Sequence, residues 1–148
     1  MYFKNVLVTT DFSDVSFAAF AYAANMEHSH ITILNVMQDW NAPPLLLEQL
    51  PDPDTLTKYR EDIFKQTKAK LDLIAQEHFH NLKTHTEAIP GTDDPAAAIC
   101  QFANENDINA ILIAGHGRGS LGNLFIGSTV QKILQAARCP VIVVPKAR

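Results

Sequence analysis

The stretch from Ala110 to Val144, AILIAGHGRGSLGNLFIGSTVQKILQAARCPVIVV, decides how this chain folds. It opens on Ala110–Ala114 (AILIA), a short, wholly apolar run that suits a strand buried on both faces. It closes on another, Pro140–Val144 (PVIVV). Between them Val130, Ile133, Leu134 and Ala137 recur at i, i+3, i+4 and i+7, so a helix starts near Ser128 with those residues inward. Strand, helix and strand in succession predict a right-handed crossover between parallel neighbours. The connection from Ala114 to Ser128 holds every glycine of the chain except Gly91. At about thirteen residues it exceeds the roughly 2–6 that usually join a strand to a helix, and the excess needs a reason.

The same alternation runs back to the N-terminus. Phe3–Thr9 (FKNVLVT) and Ile31–Met37 (ITILNVM) read as strands, and Thr84–Ile89 as a weaker one. Asp11, Ser13 and Asp14 offer N-cap chemistry to a helix whose inner face is Phe17, Phe20, Ala21 and Ala24. Pro43, Pro44, Pro51 and Pro53 predict an irregular segment over residues 40–54, with Trp40 beside it, placed to serve as a lid or a partner surface. A long helix follows from Thr55 to about Phe79, with Leu56, Tyr59, Ile63, Leu71 and Ile74 as its core stripe. Pro90-Gly91 breaks the chain. Asp93 and Asp94 then cap a helix that opens at Pro95, buries Ala96, Ile99, Cys100 and Ala103, and ends at Asn106-Asp107. Five strands alternating with four helices predict an α/β fold: an open parallel sheet sandwiched by helices.

Composition narrows the function classes. The chain has 148 residues, 47% hydrophobic and 19% charged, with a net charge of -4. That is enough for one domain spanning residues 1–148, with a sizeable core. The charge offers no broad attraction to nucleic acid or an anionic membrane. No apolar run approaches the roughly 18 residues of a membrane span. No signal-peptide pattern precedes the first strand, so a cytoplasmic location is expected. Cys100 and Cys139 have no metal spacing and read as buried small hydrophobes. His28/His30 and His78/His80 stand two apart, a spacing that does not share a helix face, and are expected on the solvated surface.

Three motifs compete for the glycine stretch. Gly117–Gly122 is a literal GxGxxG, but no helix begins at its third glycine and no acidic residue follows about twenty positions on, as a dinucleotide site requires. Gly122–Thr129 is GxxxxG with Ser128 where a Walker loop needs its lysine. The third reading joins Ala114-x-x-Gly117, nine residues, and Gly127-Ser128. This resembles the nucleotide-binding signature of the universal stress protein family, Gly-x2-Gly-x9-Gly-Ser/Thr. The resemblance extends along the chain: VLVTTDFSD is similar to the family's first strand and its Asp, ITILNVM to the second, INAILIAGHGRG to the fourth, and CPVIVVP to the last.

The resemblance implies an adenine-nucleotide α-hydrolase-like fold with strand order 3-2-1-4-5, binding ATP or a related nucleotide. Thr9, Thr10 and Asp11 would lie at the end of strand one, with Asp11 accepting hydrogen bonds from ribose or base. Val36 would pack against adenine and pair through its backbone. Gly117 and Gly127 would let backbone N–H groups approach phosphate, Ser128 and Thr129 would meet it at a helix N-terminus, and Arg118 would add charge. His116 would touch phosphate or ribose, or project to solvent. If Mg²⁺ accompanies the phosphates, Asp11 is the nearest candidate ligand. Ala114 replaces the signature's first glycine; this is tolerable at negative φ, with its methyl the group that would crowd a ligand. The final strand is an apolar edge that invites pairing with a second copy, so a homodimer through Val141, Ile142, Val143 and Val144 is expected. No general base or Walker-type lysine stands out, which limits any hydrolysis to a slow one. A nucleotide-free dimerising module, and an enzyme holding its substrate with residues 40–54, remain as alternatives.

Overall fold

The computed structural model describes residues 2–49, 52–115 and 126–145. Five parallel strands, β1 (Phe3–Thr9), β2 (His28–Met37), β3 (Thr84–Pro90), β4 (Ala110–Ala114) and β5 (Val141–Val144), form one sheet in the order β3-β2-β1-β4-β5. The winding reverses between β1 and β4, which pair Val6–Val8 with Ala110–Leu112. Around the sheet lie α1 (Ala18–Asn25), α2 (Pro44–Gln49), α3 (Pro53–Phe79), α4 (Pro95–Glu105) and α5 (Ser128–Ala136).

Alternation along the strands builds a core on each face. Val6, Val8, Ile31, Ile33 and Leu112 point to one side, where Phe20 of α1 and Leu71 and Phe79 of α3 close over them. Leu7, Leu34, Ile111 and Ile113 point to the other, against Ile99 of α4 and Ile133 of α5. This is why the central strands read as unbroken apolar runs. Two helices start at aspartate caps. Asp52 accepts from Thr55 N at 2.8 Å and Asp94 from Ala97 N at 3.2 Å, each just before a proline that needs no N–H partner. Asp107, at φ 52, ends α4: Ile108 N reaches back to Ala103 O at 3.1 Å and satisfies a terminal carbonyl.

Several expectations change. Ala21 is exposed, and Ala19 and Ala23 join Phe20 on the inner face of α1. Both ring nitrogens of His28 are buried without a hydrogen-bond partner among the described residues, so this histidine is not a solvated surface group. Residues 40–54 are not wholly irregular: a 3-10 turn covers Gln38–Trp40 and α2 is helical, because Pro44 stands at its first position, where proline is tolerated. Leu134 is 46% exposed; α5 turns only Val130 and Ile133 fully inward. Cys139 is half-buried, unlike Cys100. His78 does not simply face water: its ring lies 5.1 Å from that of Phe20 and 5.6 Å from that of Phe17.

Candidate functional site

A cleft opens at the carboxyl ends of β1, β2 and β4, where the winding reverses and such sheets bind ligands. Thr9, Thr10 and Asp11 form one wall and Val36 another; Ala114 and Thr129 line it from β4 and α5. Gly127 and Ser128 occupy the start of α5 beside Thr129. Pro95 and Ile99 of α4 and Gln38 after β2 also line it, outside the expected set. Of these, Pro95 carried a sequence signal, as the opening residue of a helix that had to follow a strand end. His116, Gly117 and Arg118 lie outside the described residues.

The turn after β1 is fixed by its own hydroxyls. Phe12 N donates to Thr10 Oγ1 at 3.0 Å, and Ser16 Oγ donates to Ser13 O at 2.7 Å. Ser16 has then used its one hydrogen, so Thr10 Oγ1 must donate across the 2.7 Å contact to Ser16 Oγ. Phe12 sits at φ 67, a conformation costly for a bulky residue, and this hydrogen-bond chain holds it there. Asp11 accepts from Ser13 N at 2.9 Å and from Ser13 Oγ. It therefore closes a local turn; the expected cap on α1 is absent, because α1 begins later, after Phe17, with no side-chain cap.

Partial burial pushes the Asp11 carboxyl up, but the hydrogen bonds from Ser13 outweigh it, so the net shift is below the ordinary 3.8. Asp11 is thus an anion at neutral pH. A depressed folded-state value contributes stability that is present above the unfolded value and lost as pH falls through the folded one. Asp11→Asn should therefore lose that contribution at pH 7 and flatten the acid slope, so that the variant is the less stable at neutral pH and the gap to wild type narrows below about pH 4. Urea midpoints measured from pH 7 to pH 2 check this; equal acid slopes in both proteins would contradict it.

Two features bear on a ligand. Ala114 packs against the α1-side core with Leu112, whereas Ile113 carries the cleft-side face of β4. Its methyl therefore turns toward that core, although the residue is only half-buried and also lines the cleft. Gly127, the N-cap of α5, makes no side-chain cap. The first intrahelical bond is Gln131 N to Gly127 O at 3.0 Å, so the N–H groups of Ser128, Thr129 and Val130 precede the helical ladder. Where α3 and α4 receive an aspartate, α5 has no side-chain cap among the described residues, and its positive dipole end opens toward the cleft.

The model of the universal stress protein family matches residues 2–145. The chain belongs to the universal stress protein family. A universal stress protein of Thermus aquaticus is 29% identical over 143 residues, covering 96% of this chain and 98% of its own length. Universal stress protein MJ0577 of Methanocaldococcus jannaschii is 21% identical over 155 residues, covering 97% of this chain and 96% of its own. Its solved structure superposes with a TM-score of 0.76 over 100% of this chain and 99% of that one. A universal stress protein family member from Arabidopsis thaliana, solved with AMP bound, has a TM-score of 0.54 and 17% identity, covering 97% of this chain and 92% of that one. This universal stress protein thus shares its fold with the two solved structures, and its own strand order is the expected one.

Proposed function

We propose that this chain binds an adenine nucleotide, ATP or a close relative, and works as a single-domain, cytoplasmic, homodimeric stress-response module. The observation that carries the reading is the uncapped start of α5 facing a cleft at the strand ends. The base would lie against Val36 and the ribose near Asp11, with phosphates at Gly127, Ser128 and Thr129. The AMP-bound Arabidopsis relative supports the same ligand class. If Mg²⁺ accompanies the nucleotide, the ionised Asp11 would be its nearest protein oxygen. Mass spectrometry of protein purified without added ligand tests the reading. A co-purified adenine nucleotide is expected; its absence, together with no calorimetric heat on adding ATP and Mg²⁺, would overturn it.

The core-packed methyl of Ala114 makes a separate prediction. Ala114→Gly should change nucleotide affinity by less than about threefold while destabilising the fold by roughly 0.5–1 kcal/mol, since glycine weakens a strand. A gain of tenfold or more in affinity would mean that the methyl does crowd the ligand.

For the dimer, β5 pairs with β4 alone among the described residues, and Val141, Ile142 and Val143 are only half-buried. An apolar edge with unpaired main-chain groups is a natural seat for a second copy. Light scattering should give twice the chain mass, and Ile142→Lys should shift the distribution toward monomer. A wild-type monomer at high concentration would count against this assembly.

A further inference from the structure

A second cavity lies on the α3 side of the same strand end. Alternation divides β2: Leu34 belongs to the cleft's face, while Asn35 turns the other way. Asn35, Thr67 and Lys70 line this cavity with Asp11, Gln38 and Asp39. It encloses about 200 Å³, less than the roughly 300–1,000 Å³ of a pocket for a drug-sized ligand.

Two largely buried residues of its lining keep hydrogen-bonding capacity to spare. Thr67 is 9% exposed, and its hydroxyl makes no hydrogen bond to another described residue. Asn35 is 6% exposed; it donates Nδ2 to Thr10 O at 2.8 Å, and its Oδ1 has no partner among the described residues. Neither oxygen is shut off from the cavity, so each is free to meet a molecule that enters it. The charges around these two groups have both signs. Lys70 forms no ion pair with a described residue; its Nζ stands 5.4 Å from the Phe12 ring centre. The Asp39 carboxylate is likewise unpaired among the described residues, and Asp11 is ionised.

We propose that this cavity binds a small zwitterion of the α-amino-acid class, its carboxylate toward Lys70 and its ammonium toward Asp39 and Asp11. Asn35 Oδ1 accepts from the ammonium, and the Thr67 hydroxyl donates to the carboxylate. A simple anion would meet two carboxylates, a simple cation would meet Lys70, and a neutral polyol would leave both signs unmatched. Asp11, Val36 and Gln38 line both this cavity and the cleft, so the two ligands would lie on either side of one strand end. The proposal does not depend on nucleotide binding.

The test titrates the ¹⁵N-labelled full chain, free of nucleotide, with each proteinogenic L-amino acid in turn, and with glycerol, acetate and methylamine. Saturable shifts of the Asn35 and Gln38 side-chain amide signals are expected with at least one amino acid and with none of the three comparators. Lys70→Met and Thr67→Val should each weaken that amino acid by roughly tenfold, the scale of one charge-assisted hydrogen bond. Thr67→Val should leave the unfolding midpoint unchanged or raised, and AMP titrated separately should bind both variants like the wild type. No response to any amino acid, an equal response to a comparator, or amino-acid binding that survives Lys70→Met would overturn the proposal.

Discussion

Gly91→Ala is expected to lower stability by roughly 3 kcal/mol, at the upper end of what overpacking usually costs. A Cβ at Gly91 would stand 2.1 Å from Met37 O, 3.0 Å from Met37 C and 3.3 Å from Gln38 Cα. All three atoms are main chain, so no side-chain rotation relieves the clash. Met37 is paired with Pro90 in the β2–β3 register, and Asn41 Nδ2 donates to Gly91 O at 3.4 Å. The added methyl must therefore part β3 from the end of β2. For a chain of this size the thermal midpoint should fall by roughly 6–12 °C, read by calorimetry or circular dichroism. The strain falls beside Gln38, which lines both cavities, so nucleotide affinity should weaken as well. Gly115 is the comparison. Its Cβ would meet Val143 Cγ1 at 3.0 Å, an atom that can swing aside. Gly115→Ala should cost clearly less. Equal losses at the two positions would mean that the close approach to Met37 is not what requires glycine.

Gly91 also marks where sequence reading ends. Pro90-Gly91 is legible as a chain break, since both residues punctuate structure locally. That the glycine touches main chain more than fifty residues earlier is a fact of strand pairing, which no local pattern records. The same division holds across the fold. The strands over residues 3–9 and 110–114 and the starts of α4 and α5 follow from apolar runs, prolines and caps, and the structure places them where expected. The helix Pro44–Gln49 is not legible because four prolines in fifteen residues read as breakers, although proline at a first turn permits a helix. The cleft was legible at Thr9–Asp11, Val36, Ala114 and Thr129, which stand at element ends. Gln38, Ile99 and the cavity beside Thr67 and Lys70 were not, because they meet only when α3 and α4 cross the strand ends.

Gly127→Val should abolish measurable binding of AMP or ATP. Gly127 sits at φ -61 and ψ 157, an extended conformation open to every residue, so the substitution imposes no backbone strain. What it adds is a branched side chain at the mouth of α5, where phosphate oxygens would approach the N–H groups of Ser128 and Thr129. Each hydrogen bond to a charged group contributes about 1.5–3 kcal/mol, and losing two of them weakens binding by more than about a hundredfold. Gly127 is itself buried, so the variant must be shown to unfold cooperatively near the wild-type midpoint before its affinity is interpreted. Thr129→Val supplies the milder partner. It keeps shape and branching at a half-buried residue lining the cleft and removes one hydroxyl, with an expected loss of roughly tenfold. Isothermal titration of both variants against wild type separates the possibilities. A graded loss, larger at Gly127, places phosphate at the start of α5. Wild-type affinity in a folded Gly127→Val protein would move the nucleotide elsewhere and remove the reason for leaving this helix uncapped.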